Sequence, residues 1–487
     1  MIKRLAGKFR LRENQILLSL SIIIGVLAGL SAVLFALAIE RTSHALFGIS
    51  PSPLRLLLAP TLVSLIAGIL LATVFRDVSG SGIPQTEAAF RINHGIIPAS
   101  VPLGKFITGV LCLGSGHSMG REGPSVQIGA GITSLVGRWL RLSPERLRTL
   151  VPIGAAAALS AAFNTPVAAV LFVLEEVIGD LNAGVIGPAV IASVTAVIVE
   201  RSLLGNNPLL HVPGYHLVKP AELLAYASLG VIGGIISLIF CKGLLLARAF
   251  FKKLPRYTVI IQPAVGGLMI GAILIAFPQV MGVGYEYVDQ ALNGGLILKT
   301  MIVLCAVKLV ATIISYASGN AGGIFAPSLY LGAMAGGAVG CFVHRFAPAS
   351  TADPGAYALV GMGVLFAGII RAPLTSVFLI FELTQDYRIL APLIVANLLS
   401  FMISRHYQPT PIYHALLEQD QIFAPEPEAA PAGDIMTGDA VLVPAESTIE
   451  NVRRLVEPNG KKPARSSRER RSKQPIATEL AHPSKTT

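Results

Sequence analysis

Gly120-Arg121-Glu122-Gly123-Pro124-Ser125-Val126-Gln127-Ile128-Gly129-Ala130 has a distant echo in Gly323-Ile324-Phe325-Ala326-Pro327-Ser328-Leu329-Tyr330-Leu331-Gly332-Ala333. Glycine, proline, serine, glycine and alanine return at identical spacing, with Pro124 matched to Pro327 at an offset of 203. A second match follows in the same order. Gly154, Pro166 and Glu175 are separated by 12 and 9 residues, as are Gly361, Pro373 and Glu382, at an offset of 207. Two matched sets in one order at nearly one offset indicate an internal duplication. The chain therefore reads as two related halves, roughly 15–205 and 220–405.

Composition says what medium those halves occupy. Of 487 residues, 53% are hydrophobic and 13% charged, about half the charge content of a soluble domain. Residues 15–38, 53–75, 183–204, 222–249, 297–317 and 388–404 form apolar runs, each near the length of about 20 residues that crosses a bilayer as a helix. The runs do not alternate, so they are helices and not barrel strands. The fold expected is an all-α integral membrane protein. Glycine, 48 residues in all and often inside these runs, lets membrane helices approach closely.

Charge gathers at the two ends. Lys3, Arg4, Lys8, Arg10 and Arg12 precede the first run, and residues 461–473 carry seven basic side chains against Glu469. Positive segments stay in the cytoplasm and lie near anionic headgroups, so both ends read as cytoplasmic and a nucleic-acid partner is not needed to explain the net charge of +11. No small-residue cleavage site closely follows the first run, which reads as a span and not a removed signal. The cysteines Cys112, Cys241, Cys305 and Cys341 have no CxxC spacing and read as packing residues with no metal role. Both ends on one side fit two halves with an odd number of crossings each, inserted in opposite senses. Such inverted repeats place substrate sites near the midplane, on interrupted helices.

Four segments break the apolar pattern: Gly80-Ser81-Gly82-Ile83-Pro84, Gly120-Arg121-Glu122-Gly123-Pro124, Gly322-Gly323-Ile324-Phe325-Ala326-Pro327 and Pro411-Ile412-Tyr413. In three of them glycine precedes a proline suited to a first helical turn. A helix N-terminus presents free N–H groups and partial positive charge, and glycine leaves them uncovered, which makes a ready anion site. Several such ends aimed at one spot would hold an anion without a full positive charge, so that it can also leave.

These segments, in this order, resemble the signature segments of the chloride channel/transporter (CLC) family, over roughly residues 15–418. The resemblance implies a CLC-type fold of two inverted repeats built from tilted and interrupted helices. It also implies a homodimer in a plasma or inner membrane, each subunit with its own anion pathway, with chloride and protons as substrates and no cofactor. It assigns central chloride coordination to the Ser81 and Tyr413 side chains and the backbone amides of Ile324 and Phe325. Gly80, Gly82, Pro84, Gly120, Arg121, Gly123, Pro124, Gly323 and Pro327 support them as motif residues. Serine at Ser81 resembles chloride-preferring members; nitrate-preferring ones tend to carry proline. Asn320-Ala321 stand where many relatives have Ala-Pro, which bears on the loop before Gly322.

Glu122 resembles the family's external gating glutamate. A carboxylate near helix N-termini mimics the anion it competes with; protonated, it loses that attraction and can swing away. Glu175 and Glu176 end an apolar run, where charges can simply mark a helix emerging into water. The segment 161–176, AAFNTPVAAVLFVLEE, resembles the one whose second glutamate loads protons from the cytoplasm in exchanging members. That role is carried to Glu176, and Glu382, the repeat mate of Glu175, reads as structural. Chloride/proton antiport is thus the expected function, with a passive chloride channel as the alternative. Gly116-His117-Ser118-Met119-Gly120 also spells the GxSxG nucleophile elbow, which needs a strand–turn–helix setting this apolar helical context does not offer; an intramembrane hydrolase is a distant third, and no catalytic residue is assigned. His94, His211, His216, His406 and His414 show no metal spacing and read as loop or interface residues. From Glu418 the composition shifts. Asp434-Ile435-Met436-Thr437 with 441–455 resembles the opening of a CBS domain, cut short within the stretch 419–458, and 459–487 reads as a disordered basic tail.

Overall fold

A computed structural model describes residues 13–422 apart from 182–183, 206–209, 211, 213, 215–217 and 385–386. The basic residues Lys3 to Arg12, the histidines His211 and His216, the CBS-like stretch from Asp434 and the tail 459–487 lie outside the described residues.

Among the described residues the first half runs through eight α-helices: α1 (Glu13–Phe47), α2 (Pro53–Thr73), α3 (Ile83–Arg91), α4 (Ser100–Gly114), α5 (Glu122–Trp139), α6 (Pro144–Phe163), α7 (Pro166–Phe172) and α8 (Ile186–Leu204). The second runs through eight more: α9 (Leu223–Lys253), α10 (Gln262–Ala276), α11 (Tyr285–Leu292), α12 (Leu298–Ala317), α13 (Phe325–Phe346), α14 (Pro354–Ile370), α15 (Pro373–Thr384) and α16 (Leu390–Tyr407). A short α17 (Ile412–Gln419) follows. Among the described residues seven helical stretches are long and apolar enough to cross a membrane. Ile22, Leu34, Leu62, Ile198 and Ile239 are exposed on them. In water that would be costly; against hydrocarbon it is not.

The packing repeats as the sequence does. α5 lies on α6 as α13 lies on α14, and α1 on α8 as α9 on α16; α2 meets its own counterpart α10, and α7 meets α15. Lipid tails are as apolar as leucine, so hydrophobic burial does little to draw these helices together, and close approach and polar ties must. The repeated glycines supply the approach. A Cβ on Gly129 would collide with the carbonyl of Gly154, and one on Gly332 with that of Gly361. The repeated glutamates supply the ties. Glu175 accepts from the Leu374 and Thr375 amides (3.1 and 2.8 Å) at the start of α15. Glu382 accepts from the Val167 and Ala168 amides (2.9 and 2.8 Å) at the start of α7. Each half caps the other's orphan amides with a carboxylate, which also suits the positive end of the helix.

Candidate functional site

The interrupted segments meet at the centre of the fold. The Gly120 amide donates to the Gly323 carbonyl and the Gly323 amide to the Gly120 carbonyl, both at 2.8 Å, and the Gly322 amide donates to the Gly80 carbonyl at 3.1 Å. This stitching brings the starts of α3, α5 and α13 together. Pro84 is the second residue of α3, and Pro124 and Pro327 are the third residues of α5 and α13, where no N–H is needed. Gly82 turns the chain into α3 with φ 101°, a conformation glycine adopts without strain. The strap before it is held by Lys105, whose buried ammonium donates to the carbonyls of Val78 (2.6 Å) and Gly80 (2.8 Å).

Ser81 and Tyr413 stand at the entrances of α3 and α17, which pack together. Both side chains are fully buried and the two hydroxyls lie close enough to interact with each other, but neither makes a hydrogen bond of normal geometry in the protein. A buried hydroxyl with no partner is costly. Ile324 and Phe325, fully buried or nearly so at the start of α13, present amides among those that a helix leaves unpaired. Two orphan hydroxyl donors beside converging helix N-termini form a cradle for a small anion, with no cation in it to hold the anion fast.

Two buried carboxylates lie within electrostatic reach of this cradle. Tyr413 is within electrostatic reach of both Glu122 and Glu176. Glu122 opens α5 and is fully buried; its carboxylate lies against the amides of Glu122 itself and Ala326 and accepts from the Tyr285 hydroxyl at 2.9 Å. Arg121 does not bond to it but donates to the Ala162 carbonyl at 3.4 Å. Glu176 is 8% exposed. It sits in a π-helical turn, Val173–Ile178, that continues α7; one-turn π insertions recur at functional sites. The turn sends adjacent carboxylates apart. Glu175 goes to the cap of α15, while Glu176 stays within electrostatic reach of Glu87, Glu175, Arg371 and Arg91. Glu87, fully buried on α3, pairs with Arg91 at 2.9 Å and with His414 of α17 at 2.8 Å. Ser81 lies in the strap that leads into α3 and Glu87 lies on α3 itself, four residues or about 6 Å of rise past its first residue.

The structure thus brings together the segments that carry Ser81, Tyr413, Ile324, Phe325 and Glu122, and leaves Glu176 within electrostatic reach of Tyr413. Glu175 is tied to the start of α15, and His406 and His414, read as loop or interface residues, stand on α16 and α17. Ser118 donates to or accepts from Thr312 (3.3 Å), while His117 engages Ser64 (2.6 Å) and Ser315 (3.3 Å), so no base faces the GxSxG serine. In the loop before Gly322, the buried Asn320 bonds the Pro263 carbonyl and Ser318. Among the described residues no group of three His, Cys, Asp or Glu could hold a metal ion.

Sequence reasoning missed Lys105, Lys308, Tyr285 and Glu87. The lysines had a signal: each is a charge inside an apolar run, which marks it for attention, and they are 203 residues apart, the repeat offset.

Residues 63–405 match the family described as voltage gated chloride channel. The chain is 34% identical over 363 residues to a putative chloride channel protein ClcB-like of Ralstonia nicotianae, covering 74% of this chain and 84% of that protein. It is 33% identical over 416 residues to the H(+)/Cl(-) exchange transporter ClcA of Vibrio campbellii, covering 82% and 89%. Among solved structures it is similar to a slow cyanobacterial Cl-/H+ antiporter, with a TM-score of 0.76, 29% identity and coverage of 83% of this chain and 97% of that one. A CLC-type fluoride/proton antiporter shares the fold, at a TM-score of 0.69 and 24% identity over 83% and 98%.

Proposed function

This chain belongs to the voltage gated chloride channel family, and from that premise we propose that it exchanges chloride for protons across a membrane. The observation that carries the reading is the pair of buried Ser81 and Tyr413 hydroxyls at converging helix starts, with two buried carboxyls, Glu122 and Glu176, within electrostatic reach of Tyr413. Chloride binds between the Ser81 and Tyr413 hydroxyls and the amides of Ile324 and Phe325. Glu122, unprotonated, occupies an anion position at the starts of α5 and α13; protonated, it leaves that position to chloride. Glu176 takes protons from the cytoplasmic side without lying on the anion route. The relatives named as H(+)/Cl(-) exchangers support the pairing of the two ions. The basic terminal segments support cytoplasmic ends. The family pattern supports a homodimer. In proteoliposomes given a chloride gradient, purified protein should drive protons uphill. Chloride movement without proton movement would replace this reading by a passive channel.

A further inference from the structure

The segment before α11 copies the segment before α3. Gly80-Ser81-Gly82 and Gly282-Val283-Gly284 are offset by 202. Gly82 and Gly284 both enter their helices with positive φ, 101° and 79°. Lys105 grips the carbonyls of Val78 and Gly80; Lys308 grips those of Val280 (3.1 Å) and Gly282 (2.6 Å). In the first half this lysine-held strap presents Ser81 to the anion cradle. In the second half it presents the first residue of α11, Tyr285, whose hydroxyl donates to Glu122 at 2.9 Å. The position matching Tyr285 in the first half is Ile83, so the hydroxyl is an addition of the second half and not a by-product of the repeat.

The tyrosine also lines a cavity, together with Glu40 and His44 of α1, Met119 and Arg121. The cavity's charged and titratable lining is therefore Glu40, His44, Arg121 and Tyr285. The other groups that reach Glu122 electrostatically are Lys308 of α12 and Tyr413 of α17. Of all these, Tyr285 alone bonds a carboxylate oxygen of Glu122 with its side chain. We propose that Tyr285 is a positioning residue for Glu122: its hydroxyl holds the carboxylate in the anion position and sets the pH at which the carboxylate lets go. The inference rests on the reading of Glu122 as a gate. A donor to a carboxylate favours the charged form. Removing it lets a proton win at lower proton concentration, so opening moves toward higher pH.

The test is chloride efflux from proteoliposomes against pH for wild type, Tyr285→Phe, Glu122→Gln and the double variant, with Tyr287→Phe as a control on the same helix. Tyr285→Phe should move the half-maximal pH upward by about one unit, the order expected for one hydrogen bond to a charged group. In the Glu122→Gln background the same substitution should change nothing, and Tyr287→Phe should leave the wild-type profile. If Glu122→Gln keeps the wild-type pH dependence, the gate reading fails and takes this proposal with it. If Glu122→Gln flattens the profile but Tyr285→Phe superimposes on wild type, the gate stands and the tyrosine proposal alone is overturned. A uniform change of rate at every pH, or a shift that persists without the Glu122 carboxylate, would make Tyr285 a packing residue and overturn it as well.

Discussion

Tyr413→Phe and Ser81→Ala each delete one oxygen and no carbon, so they probe the anion cradle without opening a cavity. Each hydroxyl is buried and makes no hydrogen bond of normal geometry in the protein. A hydrogen bond to a charged partner contributes about 1.5–3 kcal/mol. Chloride should therefore bind each variant roughly ten- to a hundredfold more weakly, at about 1.4 kcal/mol per factor of ten. In chloride-free buffer the sign reverses. An orphan hydroxyl there has at most water to satisfy it, so deleting it leaves stability unchanged or raises it by up to about 1 kcal/mol. The two effects cross as chloride is added. A concentration a hundred times the wild-type Kd stabilises the wild type by about 2.7 kcal/mol, and a variant tenfold weaker by about 1.4 kcal/mol. Isothermal titration of chloride into detergent-solubilised protein measures the first effect. Thermal unfolding midpoints across a chloride series measure the crossing. A variant that keeps wild-type affinity is not missing a ligand. A variant destabilised equally with and without chloride has lost an internal contact, and the cradle would be no more than packing.

Four further outcomes follow. Glu122→Gln should open chloride flux and remove both its pH dependence and proton coupling, as read by efflux and a pH electrode. Glu176→Gln should preserve chloride transport while proton movement disappears, and Glu175→Gln should be milder because its carboxyl serves the α15 cap; equal losses of coupling would unseat that division. Glu382→Ala strips two amides of α7 of a charged acceptor and should cost about 2 kcal/mol, seen as a lower thermal midpoint with coupling intact; unchanged stability would make the reciprocal caps incidental. Ser81→Pro should raise nitrate flux relative to chloride, because it removes a donor that favours the compact anion; an unchanged ratio places Ser81 away from the selective step.

Much of the scaffold was legible because it depends on residues close in sequence. Among the described residues apolar length gave six of the seven spans, missing Phe325–Phe346, and Gly–Pro interruptions gave the helix starts. Gly129, Gly154, Gly332 and Gly361, noticed only as a repeat, are the positions where α5 meets α6 and α13 meets α14. What was not legible depends on rotation and on distant partners. Glu175 and Glu176 are neighbours, and nothing in their order says that a π turn will send one to α15 and leave the other within electrostatic reach of Glu87. Tyr285 could not be paired with Glu122 from spacing, since 163 residues separate them. Its strap was findable all the same, as a Gly-x-Gly at nearly the repeat offset from Gly80-Ser81-Gly82.

The repeat also supplies a rule for separating scaffold from site. Where the halves agree, the residues build: Lys105 and Lys308 grip straps, Pro124 and Pro327 start helices, Glu175 and Glu382 cap each other's partners. The residues proposed to meet the ions are among those at which the halves differ. Glu122 is matched by Phe325, Ser81 by Val283, Tyr285 by Ile83, and Glu176 by Leu383 at the offset of 207 that pairs Glu175 with Glu382. Tyr413 belongs to α17, outside both repeats. The physical reason is directional. Two halves of opposite sense with identical side chains would present the same groups to both faces, and no proton path could then be distinct at either end. A carboxyl gate and a separate proton acceptor require the halves to diverge at those positions.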